Sequence, residues 1–253
     1  MVLPDPADTQ LLDAVSDANP ASIADVVVIM QTIDGILPLT DGLKWFNLLY
    51  LMVTQQVSAP PGGWEDPQWL TRLDVVFAGY YFAAIASTLN GSDETPSAWQ
   101  ALFEARSRTD VDRIQFALAG MNAHINHDLA QALVGVDGEL GVTPSVPSPE
   151  HDDYQHVNGL LEQVLPAALN FLASDTLGVL AQDTGKIGRL LAIWNVSAAR
   201  DLAWEFADQL RSLDGPARAV AIAAQDQLTG VLGRSLLLPI QSQGAEGPPG
   251  GGS

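Results

Sequence analysis

TDVDRIQFALAGMNAHINHDLAQALV, residues 109–134, carries both the clearest fold signal in the chain and its main puzzle. On a wheel of about 100° per residue, Val111, Ile114, Leu118, Ile125, Leu129 and Ala132 share one side, the mark of a helix with a buried stripe. Yet positions 122–128 hold two histidines, two asparagines and an aspartate. On the same wheel Asp128 and Asn122 flank the stripe, His124 sits at its edge, and His127 points nearly opposite. His124, Asp128 and Asn122 are therefore expected to look inward and His127 outward.

Helical periodicity extends from this segment over most of the chain, and two-residue alternation is nearly absent. The pattern predicts helices at 22–36, 40–58, 66–89, 96–106, 109–134, 151–172, 176–209 and 215–236. The expectation is a single all-α domain over residues 1–240, of about eight helices, with the 109–134 helix buried at its centre. Residues 1–21 read as a poorly ordered lead-in, and APPGGW at 59–64 as a sharp turn. GVDGELGVTPSVPSPE at 135–150 reads as a long loop, and the Gly/Pro-rich tail at 241–253 as disordered.

Composition narrows the partners. Thirty acidic residues against 11 basic give a net charge of −19. That field disfavours nucleic acid and anionic membranes, which are bound through Lys and Arg. An apolar or neutral small molecule fits better. Cysteine is absent, so ligand and acid–base chemistry falls to His, Asp and Glu. The acidic amino terminus lacks a secretory pattern and suggests a cytoplasmic protein. The longest apolar run, VVFAGYYFAAIASTL at 75–89, is short of the ~20 residues of a membrane span.

His124 and Asp128 form H-x-x-x-D, an i,i+4 pair whose side chains meet on one helix face. They could share a zinc, manganese or iron ion. Equally, the carboxylate could orient the imidazole and make His124 a general base. The plainer reading is a buried Asp–His bond that joins helices. Gly120 and Ala117, on the same side, would leave room for a ligand.

A second cluster, HDDYQHVN at 151–158, opens a helix that buries Val157, Leu160, Leu161, Val164, Ala168 and Phe171 on its apolar face. Asp153 projects onto that face with Tyr154 close by. Asp152, His151 and Glu162 point away, His156 is undecided, and Asn158 adds an amide. Asp153 is a third candidate ligand, or simply a residue favoured near a helix N-terminus. Asp74, inside the apolar WLTRLDVVFAGYYFAAI, is the fourth. A carboxylate there must be paired, metal-bound or protonated, with Arg72, Arg113, Arg200 or a tyrosine hydroxyl as candidate partners. No nucleophile elbow, phosphate-binding glycine loop or dinucleotide fingerprint is present.

Five segments together, DGLKWFNLLYLMVT (41–54), LDVVFAGYYFAA (73–84), GMNAHINHDL (120–129), DYQHVN (153–158) and RDLAWEFA (200–207), resemble the signatures of a mostly actinobacterial, all-helical family of unknown function with an N-A-H-I-x-x-D-L core. The resemblance implies that Asn122, His124 and Asp128 are signature positions, with Asp153 and Asn158 in a second motif. It also implies that His127, His151 and His156 are variable. Some similar proteins lie beside genes for specialised metabolism.

Three functions fit. The first is a small-molecule hydrolase or lyase whose centre, between the 109–134 and 151–172 helices, consists of His124, Asp128, Asp153 and Asn122. In its sharper form His124, Asp128, Asp153 and Asp74 hold a divalent metal that activates water. The second is a metal-free acid–base cyclase or isomerase acting on an apolar metabolite. The third is a non-catalytic helical binding or interaction protein.

Overall fold

The computed structural model describes residues 6–16, 18–58, 63–173 and 195–239. Its elements are α1 (Pro6–Ser16), α2 (Ile23–Ile36), α3 (Gly42–Ser58), α4 (Pro67–Leu89), α5 (Ser97–Ala105), α6 (Arg113–Ala123), a π turn (His124–Asp128), α7 (Leu129–Leu140), α8 (Pro149–Ala173), α9 (Val196–Ser212) and α10 (Gly215–Leu236). Helices α6 and α7 run on through the π turn as one rod, so the described residues form nine helices and no strand. The domain is all-α.

The rod is the centre of the molecule. Helices α3, α5 and α10 pack on its first half and α4 and α9 on its second, with α8 against α3 and α9. Residues 114–125 are all buried, as a helix surrounded on every side requires. Local chemistry sets the ends of the helices around it. Ser22 and Asp25 form a capping box on α2. Asp66 caps α4 with Pro67 in its first turn. Gly141 closes α7 at φ 68°, a left-handed cap that suits glycine. No described helix is long and apolar enough to cross a membrane, and the 75–89 run lies in α4 with Phe77, Ala78, Tyr81 and Ile85 in the core.

Four expectations need correction. The supposed lead-in contains α1, which packs on α2 and α4 and places Leu11 and Val15 in the core. The supposed loop from 135 is helical to Leu140. Gly135 and Gly138 are carried there because Asp137 between them accepts from Trp69 Nε1 at 2.9 Å and from Arg211 Nε at 2.9 Å. Phe171, assigned to the buried stripe, is 58 % exposed. The 109–134 helix begins at Arg113 and changes period at His124, where Leu129 N–H bonds the His124 carbonyl five residues back. The first part of the 176–209 helix and the 241–253 tail lie outside the described residues.

Candidate functional site

The π turn assembles the polar motif. Widening one turn by a residue rotates everything after it relative to an α-helical wheel. His127, expected outside, is consequently buried, with a side chain only 7 % exposed. Asp128 then sits between two imidazoles. His124 Nδ1 lies 2.9 Å from Oδ2 and His127 Nδ1 2.7 Å from Oδ1. From α5, Trp99 Nε1–H donates to Oδ2 at 2.9 Å. Burial opposes the charge on Asp128, but the bonds from His124 and His127 outweigh it and hold its pKa below the usual carboxylate value. An ionised carboxylate can only accept, so both histidines donate from Nδ1. The neutral His124 ring therefore keeps the lone pair on Nε2. Burial lowers the His124 pKa despite the Asp128 bond, which favours that neutral form.

His124 Nε2 is buried and has no hydrogen-bond partner. The ring stacks flat on Phe77, with centroids 3.5 Å apart at 6°, and meets the Tyr50 ring edge-on at 4.6 Å. It forms part of the wall of a partly open cavity in which about 60 Å³ is accessible to the centres of water molecules. At roughly 10–15 Å³ per water, that space admits several waters or the reactive end of a small ligand. Helix α3 contributes Tyr50 and Thr54, α4 contributes Asp74 and Phe77, α8 contributes Val157 and Leu161, and α9 contributes Arg200. Asp74 Oδ2 is, like His124 Nε2, buried without a hydrogen-bond partner, while the buried Tyr50 Oη and Thr54 Oγ1 have only each other. Among the described residues the other buried unpartnered atoms, on Trp204 and Thr229, do not line this cavity. Asp74 as a residue is only half-buried, but its Oδ2 is fully enclosed. Burial pushes its carboxyl up to about 7. Burial, then the nearby Asp74 and Asp128 carboxylates, hold the Tyr50 hydroxyl protonated well above the ordinary range.

The other candidates lie elsewhere. Asn122 Nδ2 donates to the Thr229 carbonyl on α10 at 3.0 Å and its Oδ1 accepts from Asn126 Nδ2, so it ties two helices together. Asp153 is inward, as the wheel required, but it receives the backbone N–H groups of Glu65 at 2.8 Å and Asp66 at 2.7 Å. It anchors the turn before α4. Asn158 accepts from Arg200 Nε, and the Arg200 guanidinium stacks over Tyr154 at 4.1 Å. His156 packs on Trp64 and His151 on Trp204. None of the arginines expected for Asp74 forms an ion pair with it: Arg72 pairs with Glu139, Arg113 lies over Trp45, and Arg200 is held by Asn158 and Tyr154. The space expected beside Gly120 is filled by Phe46, whose ring would stand 2.3 Å from an added Cβ.

The divalent-metal centre is overturned. Among the described residues no three His, Asp or Glu side chains come together as a metal would need. The reason is visible at each proposed ligand. Both Asp128 oxygens are engaged by Trp99, His124 and His127, and both Asp153 oxygens by backbone donors. His124, Asp128, Asp153 and Asp74 thus do not form a zinc, manganese or iron site.

Tyr50, Thr54, Trp99 and His127 were not selected from sequence. A signal for the first two existed: Tyr50 and Thr54, at i,i+4, place two hydroxyls on the buried side of α3 among Phe46, Val53 and Val57. No protein of curated function and no solved structure matches the chain. A model of a family of unknown function, DUF5995, matches residues 23–239. The chain belongs to that family.

Proposed function

We propose that the protein is a small-molecule enzyme that works by metal-free acid–base chemistry, with His124 Nε2 as the base and the cavity beside it as the substrate site. The observation that carries this reading is that His124 Nε2 and Asp74 Oδ2, both buried and without a partner, belong to residues lining one largely apolar cavity, beside a Tyr50–Thr54 hydroxyl pair. Buried polar groups are otherwise almost always hydrogen-bonded, and leaving one unpaired costs about 1–3 kcal/mol. A fold that needed the motif only to pin helices would have no use for such atoms. Asp128 acts as a positioning residue: it fixes the His124 tautomer and would stabilise the imidazolium formed when Nε2 takes a proton. Trp99 and His127 hold Asp128 in turn. An isomerase or cyclase fits this arrangement, with Asp74 and Tyr50 as the acidic partners of the base.

The test is abstraction of a carbon-bound proton from 1,2-benzisoxazole, a small apolar probe that opens to a 2-cyanophenolate followed by its near-ultraviolet absorbance. Wild type should accelerate the reaction, His124→Gln should lose about 100-fold of that acceleration, and Asp128→Asn should shift the lower limb of the pH–rate profile. Equal rates for wild type and His124→Gln would overturn the reading and leave a binding or helix-pinning role for the motif.

A further inference from the structure

We infer that the cavity takes an enolisable carbonyl compound, a small ketone on an apolar ring or chain, whose oxygen is received by Tyr50 and Asp74 while His124 Nε2 takes a proton from the neighbouring carbon. The inference rests on the reading of His124 as a base and names its substrate class.

His124 presents a lone pair without a proton, since its Nδ1–H is committed to Asp128. Tyr50 and Asp74, on two different helices, line the same space; Asp74 Oδ2 has no hydrogen-bond partner, and Tyr50 Oη has only Thr54 beside it. Burial keeps both oxygens protonated, Asp74 up to about 7, so each donates to an acceptor instead of repelling one. Thr54 adds a third hydroxyl one turn from Tyr50. A hydrocarbon would leave these groups without an acceptor, and the one arginine in the cavity wall, Arg200, already bonds Asn158 and the Tyr154 carbonyl. A ketone supplies an acceptor oxygen and an acidified C–H side by side. Its remaining carbons would pack against Val53, Leu70, Val157 and Leu161. A protonated carboxylic acid beside a tyrosine is a known way to stabilise an enolate.

The step balances without a further reactant. The C–H bond next to the carbonyl breaks and its proton moves to Nε2. That electron pair forms the new C=C bond, and the carbonyl π pair moves onto oxygen, where Tyr50 and Asp74 donate hydrogen bonds. Return of the proton from Nε2 to the far carbon of an adjacent double bond completes an isomerisation.

The experiment uses the full chain and 3-cyclohexen-1-one, followed by the absorbance of the conjugated product 2-cyclohexen-1-one. Turnover is expected in wild type, with about 100-fold lower kcat in Tyr50→Phe and in Asp74→Ala, the size of a lost oxyanion donor, and a similar loss in His124→Gln. A second readout measures binding directly: 4-nitrophenol, whose anion is yellow, should bind wild type as the anion and compete with the enone. His124→Gln should still bind it, because the donors remain. If 1,2-benzisoxazole reacts but the enone does not and 4-nitrophenol fails to bind, the carbonyl assignment is wrong and the base stands. Enone turnover indifferent to Tyr50 and Asp74 would equally overturn the assignment. If neither the benzisoxazole nor the enone reacts, the acid–base reading itself has failed.

Discussion

Two carboxylates lie near one imidazole, Asp128 bonded to its Nδ1 and Asp74 in the wall of the same cavity, and their surroundings could hardly differ more. Asp128, on the Nδ1 side, accepts from Trp99, His124 and His127, and its pKa is lowered. Asp74 lines the cavity that His124 also lines. Its Oδ2 has no donor, and burial alone raises its pKa to about 7. The first is a finished network of the kind that rigidifies a core. The second is an unfinished one at the edge of a space large enough for a guest. One ring thus has two environments: Nδ1 is bonded to Asp128, and Nε2 is buried without a partner.

The largest effect should come from breaking the finished side. Asp128→Ala removes the acceptor of three buried donors at once, and loss of about 3–5 kcal/mol is expected for a disrupted buried charged network. Urea unfolding measures it directly, and a loss under about 1 kcal/mol would show that the donors find other partners.

The unfinished side should respond in the opposite sense. Asp74 has a native pKa near 7 against 3.8 in an unfolded chain. Between those values the unfolded state releases a proton that the native state keeps, so stability falls as pH rises through this window. The full difference amounts to up to about 4 kcal/mol. Asp74→Asn removes the titration, and at pH 8 it should be more stable than wild type by about 2–4 kcal/mol. The advantage should fade towards pH 4. A variant no more stable at pH 8 would mean that the ionised carboxylate is well solvated. The same titration predicts that enone turnover declines above about pH 7 as Asp74 stops donating. The other groups facing that space are Tyr50, Thr54, His124 and Arg200.

Gly120→Ala comes next. The new methyl would meet the Phe46 ring at 2.3 Å, and Phe46 packs against His124 with centroids 5.8 Å apart. Overpacking of this kind costs about 1–3 kcal/mol. Thermal unfolding would measure the cost, and no change in Tm would mean that Phe46 can turn aside.

The contrast between the two carboxylates also explains what could be read from sequence. Helical periodicity carries the fold, because a rod buried on all sides and its amphipathic neighbours leave a 3.6-residue imprint. The inward aim of His124, Asp128 and Asp153 follows from the same imprint. Their partners do not. Asp153 meets backbone groups at positions 65 and 66, 88 and 87 residues away, and nothing in its local pattern indicates them. His127 was misplaced because a wheel assumes one period, and a π turn inserts a residue that no composition rule announces. The cavity depends on where α3, α4 and the rod fail to touch, which is a property of packing. The metal expectation failed for a related reason: ligand-type residues were legible, but the donors already committed to them were not.

His127→Gln is the mildest change and the most discriminating one. Glutamine can still donate a neutral hydrogen bond to Asp128, so the loss should be only about 1 kcal/mol. What matters is its pH dependence. Burial works against charging His127, but the bond to Asp128 and the charges of Asp128 and Asp226 outweigh it, and the native pKa lies above the ordinary 6.5. A raised histidine pKa contributes stability that is fully present below the unfolded value and disappears as pH climbs through the native one. The stability gap between wild type and His127→Gln should therefore be wider at pH 5.5 than at pH 8.5. His124 has the opposite shift, so its own contribution weakens on the acid side. Two histidines on one carboxylate would then have pKa values displaced to opposite sides of the ordinary one, a pattern that histidine-labelled NMR can resolve ring by ring. If both instead rose together, Asp128 would be sharing charge equally between them. His124 Nε2 would then be protonated too readily to serve as a base near neutral pH.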